Sequence, residues 1–153
     1  MNLEKEIKAE CIVLDICEKT VKDAFERILV YLQQEGFENL NSLLNTQLML
    51  FFQDNTLAIE YFDANKKGFY IFIFKESLIA GNIDYCVPIS PKTKIHIIVV
   101  GINAKHDYNM CRWPTIGRCL KDKDSLRKIF SFKTKQETAE YINSFALALR
   151  GTK

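Results

Sequence analysis

Residues 94–102 read KIHIIVVGI, and no other stretch restricts the fold as strongly. The run is apolar at almost every position, so it has no polar face to offer to water. Its length suits a strand, and apolar side chains on both faces require a sheet that is covered on both sides. A second run, GFYIFIFKES at 68–77, is rich in aromatic and β-branched residues and has the same strand character. The most economical arrangement puts 94–101 at the centre of a sheet and 68–76 beside it.

The remaining elements must supply the cover. Thr20 with Asp23 three residues on marks a helix start, and Val21, Ala24, Phe25, Ile28, Leu29 and Leu32 follow at helical spacing. Gly36 closes that helix. Thr134 and Glu137 form a capping box before a last helix, from about 135 to 149. Its apolar face would be Ala139, Ile142, Phe145, Ala146 and Leu149. The helices over 19–35 and 134–149 carry the longest apolar stripes and are expected to cover the sheet.

Between these landmarks the spacing predicts a first strand over 10–17 and a second helix over 39–52, with Leu40, Leu43, Leu44, Leu48 and Phe51 on one face. A strand over 56–62 should form a hairpin with 68–77, because Asp63, Asn65 and Gly68 supply turn chemistry. Residues 81–93 read as loop. A helix over roughly 106–121, disturbed by Pro114 and Gly117, and a short one over 123–130 complete the pattern. The fold class expected is α/β: a single layered domain over 1–153, with a central mixed β-sheet flanked by helices. The hairpin makes the sheet mixed.

Composition excludes several functions. The 153 residues carry 21 basic and 19 acidic side chains, for a net charge of +2, without the basic excess of a nucleic-acid binder. No apolar run reaches the ~18 residues of a membrane span. The opening MNLEKEIKAE is charged where a secretory signal needs an apolar core. Five cysteines at no metal spacing, with two histidines, predict reduced thiols in a cytoplasmic protein, with no metal site and no cofactor. No Gly-rich phosphate loop, nucleophile elbow or HExxH is present.

The order of elements resembles the enzyme IIA domain of the bacterial sugar phosphotransferase system, in the fructose/mannitol and nitrogen-regulatory class. VLDICEKTVKDAFERILVYLQQEGF resembles its opening strand and first long helix. YIFIFKESLIAGNID and KTKIHIIVVGI resemble its central strands, and IGRCLKDKDSLRKIFSFKTKQETAEYI its closing helices. The family carries phosphate on a histidine that follows a glycine-rich run and Ala-Ile-Pro. Here the matching residues are Ala58-Ile59-Glu60-Tyr61, so Tyr61 stands at the acceptor position, Glu60 replaces the proline, and FFQDNT replaces the glycines.

That exchange changes the chemistry. A neutral imidazole nitrogen attacks phosphorus at neutral pH and leaves readily afterwards. A phenol with a pKa near 10 is the weaker nucleophile, and its ester is a poor donor. Glycines permit the close backbone approach that lets N–H groups cradle an oxyanion, and an anionic Glu60 would repel a phosphoryl group. The family's second histidine aligns with Asn109 without gaps, or with His106 after a three-residue insertion. His96 alternates within an apolar strand and reads as a histidine satisfied in or beside the sheet. Arg112 and Trp113, in CRWPTIGRC, are residue types that anchor protein interfaces.

The resemblance thus implies a degenerate enzyme IIA-like domain that acts as a regulatory module, binding another protein such as a phosphocarrier or regulator. Two alternatives remain open at this stage. One is a working phosphocarrier that uses His106. The other is a small-molecule sensor built on the same pocket.

Overall fold

The computed structural model describes residues 7–14, 16–37, 49–53, 55–61, 68–83, 85, 89–102 and 112–151. The elements are β1 (Ile12–Val13), α1 (Val21–Gln34), β2 (Met49–Gln53), β3 (Thr56–Tyr61), β4 (Gly68–Ile79), β5 (Lys94–Ile102), α2 (Arg112–Lys121), α3 (Lys123–Ser131) and α4 (Lys135–Gly151). The five strands form one mixed sheet in the order β1-β4-β5-β3-β2. It is an α/β layered fold with β5 in the middle, as its apolar run demands.

Both faces of β5 are buried, each by different helices. On one face Ile95, Ile98, Val100 and Ile102 join a cluster with Val21, Ala24, Phe25, Ile28 and Leu32 of α1. On the other, Ile97 and Val99 pack with Cys119, Leu120, Ile129, Ala139 and Ile142 of α2, α3 and α4. Of the apolar face predicted for the last helix, Ala139 and Ile142 are buried and Phe145 is partly so.

The helix ends follow the local signals. Thr20 accepts the Asp23 N–H at 3.2 Å and caps α1. Gly36 adopts φ 92°, Gly36 N–H donates to Gln33 O, and Phe37 N–H donates to Leu32 O, the paired bonds of a left-handed helix stop. Thr134 Oγ1 accepts the Glu137 N–H at 3.1 Å and donates to its carboxylate at 2.9 Å, so Thr134 caps α4 with Glu137 as its partner. α1 is tied to the sheet by aromatic edges: Tyr31 stands edge-on to Tyr70 and Phe72, with centroids 6.1 and 5.7 Å apart. Burial, reinforced by nearby acidic groups, holds the Tyr70 phenol well above its ordinary range.

α2, α3 and α4 meet at a polar corner. Asp122 Oδ2 accepts both the Ser125 N–H and the Ser125 hydroxyl at 2.9 Å, and that hydroxyl also lies 2.9 Å from Tyr141 Oη. Ser125 is fully buried, so this network satisfies a hydroxyl that would otherwise be costly to bury. The N-terminal segment is held in the same way. Asn143 accepts from Ile7 N at 2.8 Å and donates to Ile7 O at 2.9 Å.

Three expectations are corrected. The strand over 10–17 shrinks to Ile12–Val13, preceded by a 3-10 turn over Ala9–Cys11. The end of the helix expected over 39–52 is strand: Met49–Gln53 pairs antiparallel with β3. A short apolar run such as MLFF satisfies either period, and the buried Leu57, Ala58 and Ile59 of β3 leave that strand needing a second neighbour. Residues 39–48 lie outside the described residues, as do residues 106–111 of the helix expected over 106–121.

The hairpin between 56–62 and 68–77 does not form. β5 lies between them, parallel to β3 and antiparallel to β4. Ile102 is paired with Tyr61 on one side and Gly68 on the other, so the chain leaves β3 and enters β4 on opposite sides of β5. Crossing one strand means covering roughly 9–10 Å, and six extended residues reach about 20 Å. The turn residues were therefore compatible with either pairing, and burial of β5 decided it.

Two-sided burial can be tested one face at a time. Ile97→Ala and Ile98→Ala should each lower stability by about 2–5 kcal/mol in urea unfolding. A small effect at either position would show that its face is not packed. Asp122→Ala should cost about 1–2 kcal/mol through the lost cap and the stranded Ser125 hydroxyl, read as a lower unfolding midpoint.

Candidate functional site

β3 and β5 run parallel and end together, with Glu60 opposite Gly101 and Tyr61 opposite Ile102. β4 begins at the same end, where Gly68 is opposite Ile102. In open α/β sheets the carboxyl ends of parallel strands are where loops gather and ligands sit. Glu60 and Tyr61 thus close a strand that delivers them to that end. Their neighbour Ile59 is fully buried and anchors the delivery.

Residues 103–111 leave β5 from this same end, directly after Ile102. His106 and Asn109 lie on that stretch, outside the described residues. Arg112 and Trp113 open α2, which runs beside β2. Pro114 falls in the first turn of that helix, where its missing N–H removes no intrahelical bond.

The chain holds two histidines, of which His96 lies among the described residues. His96 is the third residue of β5, six residues before Ile102, so about 20 Å of strand separates it from the Tyr61 end. It is half-buried, its N–H donates to Asn55 O at 2.8 Å, and its ring packs against Phe130. This agrees with a histidine placed beside the sheet, and it takes His96 away from the β3 terminus.

CRWPTIGRC offers a thiol next to an arginine, yet Cys119 faces inward and is 1% exposed. Burial pushes its pKa up to about 11, the Asp122 carboxylate adds to the rise, and a hydrogen bond from Ser125 offsets part of it. At neutral pH the group is a thiol, the unreactive form. Cys17, by contrast, is exposed. Among the described residues no three histidine, cysteine or acidic side chains gather as a metal set, and no helix is long and apolar enough to cross a membrane.

No protein-family model matches the chain, and no curated protein matches it by sequence. Solved structures do match its fold. The nitrogen regulatory protein IIA-Ntr from Neisseria meningitidis is 12% identical, with 92% of this chain and 99% of that one covered and a TM-score of 0.71. The mannitol-specific cryptic phosphotransferase enzyme IIA CmtB from Escherichia coli is 14% identical, covering 94% and 99%, with a TM-score of 0.67. The IIA mannitol protein from Escherichia coli is also 14% identical, covering 90% and 99%, with a TM-score of 0.65. The chain therefore has the fold of phosphotransferase-system IIA domains over nearly its whole length.

The cysteine geometry predicts selective chemistry. Under native conditions near neutral pH, iodoacetamide should alkylate Cys17 and leave Cys119 unmodified, as read by mass spectrometry of peptides. Alkylation of Cys119 at the rate of Cys17 would show an accessible, activated thiol.

Proposed function

We propose that this protein is a degenerate enzyme IIA-like module of the phosphotransferase system that regulates by binding another protein. The observation that carries the reading is the ending of β3. On a IIA fold, the strand terminus beside Ile102 is Glu60-Tyr61, with tyrosine at the position the family resemblance gives to the acceptor histidine. A phenol is poorly suited to relay phosphate between carriers, and the preceding stretch lacks the glycines that let backbone donors approach its oxygens.

The distribution of histidines supports the same reading. His96 belongs to the opposite end of β5, and the sequence holds one other histidine, His106. The partner is a protein of the cytoplasm, a phosphocarrier or a regulator. Its docking face comprises the end of β3, with Tyr61, and the start of α2, with Trp113 and Arg112 as anchors.

Incubation with phosphoenolpyruvate and the general phosphocarrier proteins of the system should leave Tyr61 unlabelled. Phosphohistidine is lost in mild acid and phosphotyrosine survives it. Acid-labile label that vanishes in His106→Ala would establish a working phosphocarrier instead, and acid-stable label at Tyr61 would refute the chemical argument. Tyr61→Ala and Trp113→Ala should each reduce partner recovery in a pull-down while the unfolding midpoint holds. Undiminished recovery in both would remove this face as the docking surface.

A further inference from the structure

The other end of β5 carries a second site, built by an irregularity in the sheet. Ile73 is paired with Ile97, but the next pairing is Leu78 with Ile95. Residues 74–77 of β4 therefore stand opposite His96 alone. Such bulges re-aim side chains and interrupt the ladder. Here the bulge carries Lys75 next to His96, where α3 ends, and a cavity of about 370 Å³ opens between them. Small-molecule sites begin at about this size.

The lining is divided by chemistry. Leu14, Ile73 and Ile129 form an apolar floor. Phe130 stands at the wall, 39% exposed, an uncommon degree for so large a ring. His96 lies against it with centroids 5.3 Å apart. Lys75 and Lys133, both exposed, reach the cavity from β4 and from the turn after α3. Among the described residues no acidic side chain lines the cavity, and the Ser131 hydroxyl is already committed to Lys128 O. Among the described residues the cavity thus pairs an apolar interior with two ammonium groups and an imidazole, without a carboxylate to neutralise them.

We propose that this cavity binds a small organic anion, a monocarboxylate with an aromatic or branched apolar body. The body would lie on Ile73, Ile129 and the Phe130 ring, and the carboxylate would face Lys75, Lys133 and His96. Apolar burial supplies affinity and the cations supply selection for charge. The volume has room for a compact body such as one bicyclic ring system. The site is independent of the β3 terminus, about 20 Å of strand away, so it stands whatever docks there.

The test is amide NMR on the full chain, titrated separately with naphthoate, its neutral amide naphthamide, and inorganic phosphate. Naphthoate should give saturable shifts concentrated at residues 73–77, 96 and 129–133. Naphthamide and phosphate should bind at least about tenfold more weakly, each lacking one half of the recognition. Lys75→Glu with Lys133→Glu should weaken naphthoate about tenfold or more, since both attractions become repulsions. Lys133→Gln and Phe130→Ala, each a change at an exposed position, should weaken it by smaller factors while the unfolding midpoint holds. Absence of saturable shifts at these residues, equal binding of naphthamide or of phosphate, or undiminished binding in the lysine variants would each overturn the proposal.

Discussion

Burial of β5 on both faces is the constraint on which the structure depends. A strand with isoleucine or valine pointing each way cannot lie at a sheet edge or against water. It needs a hydrogen-bonded neighbour on each side and a helical layer above and below. β4 and β3 supply the neighbours, α1 one layer, and α2 to α4 the other. Each remaining element is positioned with respect to this strand.

The same insertion of β5 between β3 and β4 makes the candidate site. Because β3 runs parallel to β5, Tyr61 arrives at the carboxyl end, next to Ile102 and to the start of the 103–111 stretch. Had 56–61 paired with 68–77 as a hairpin, the Ile102 end of β5 would not be its neighbour. The docking face we propose at this end and the anion cavity we propose at the other lie at the two ends of one sheet. The bulge opposite His96 separates them, since it breaks the ladder where the second site opens.

The polar corner of Asp122, Ser125 and Tyr141 has a different task. It fixes how α3 turns from α2 and meets α4. α3 contributes Ile129 to the core and Phe130 to the cavity wall from adjacent positions, so its rotation decides which side chain faces the core and which remains outside. A buried hydroxyl bonded on two sides is a stringent way to set that rotation, because a small slip would leave a polar group without a partner.

The sequence by itself determined the features that act over a few residues. Thr20 and Gly36 bound α1, Thr134 and Glu137 open α4, and the run over 94–102 could only be a central strand, because capping geometry and side-chain period are local. The α/β class followed from the order of elements, whereas the mixed character was expected from a hairpin and comes instead from β4 running antiparallel to β5. Tertiary structure decided the rest. It turned 49–53 from helix to strand, replaced a hairpin with a crossing over β5, and took His96 to the end opposite Tyr61. None of these has a local signal. MLFF fits two periods, and Asp63, Asn65 and Gly68 permit a turn without naming its partner strand. The pairing of Lys75 with His96 across a bulge depends on a register that exists only once both strands are packed.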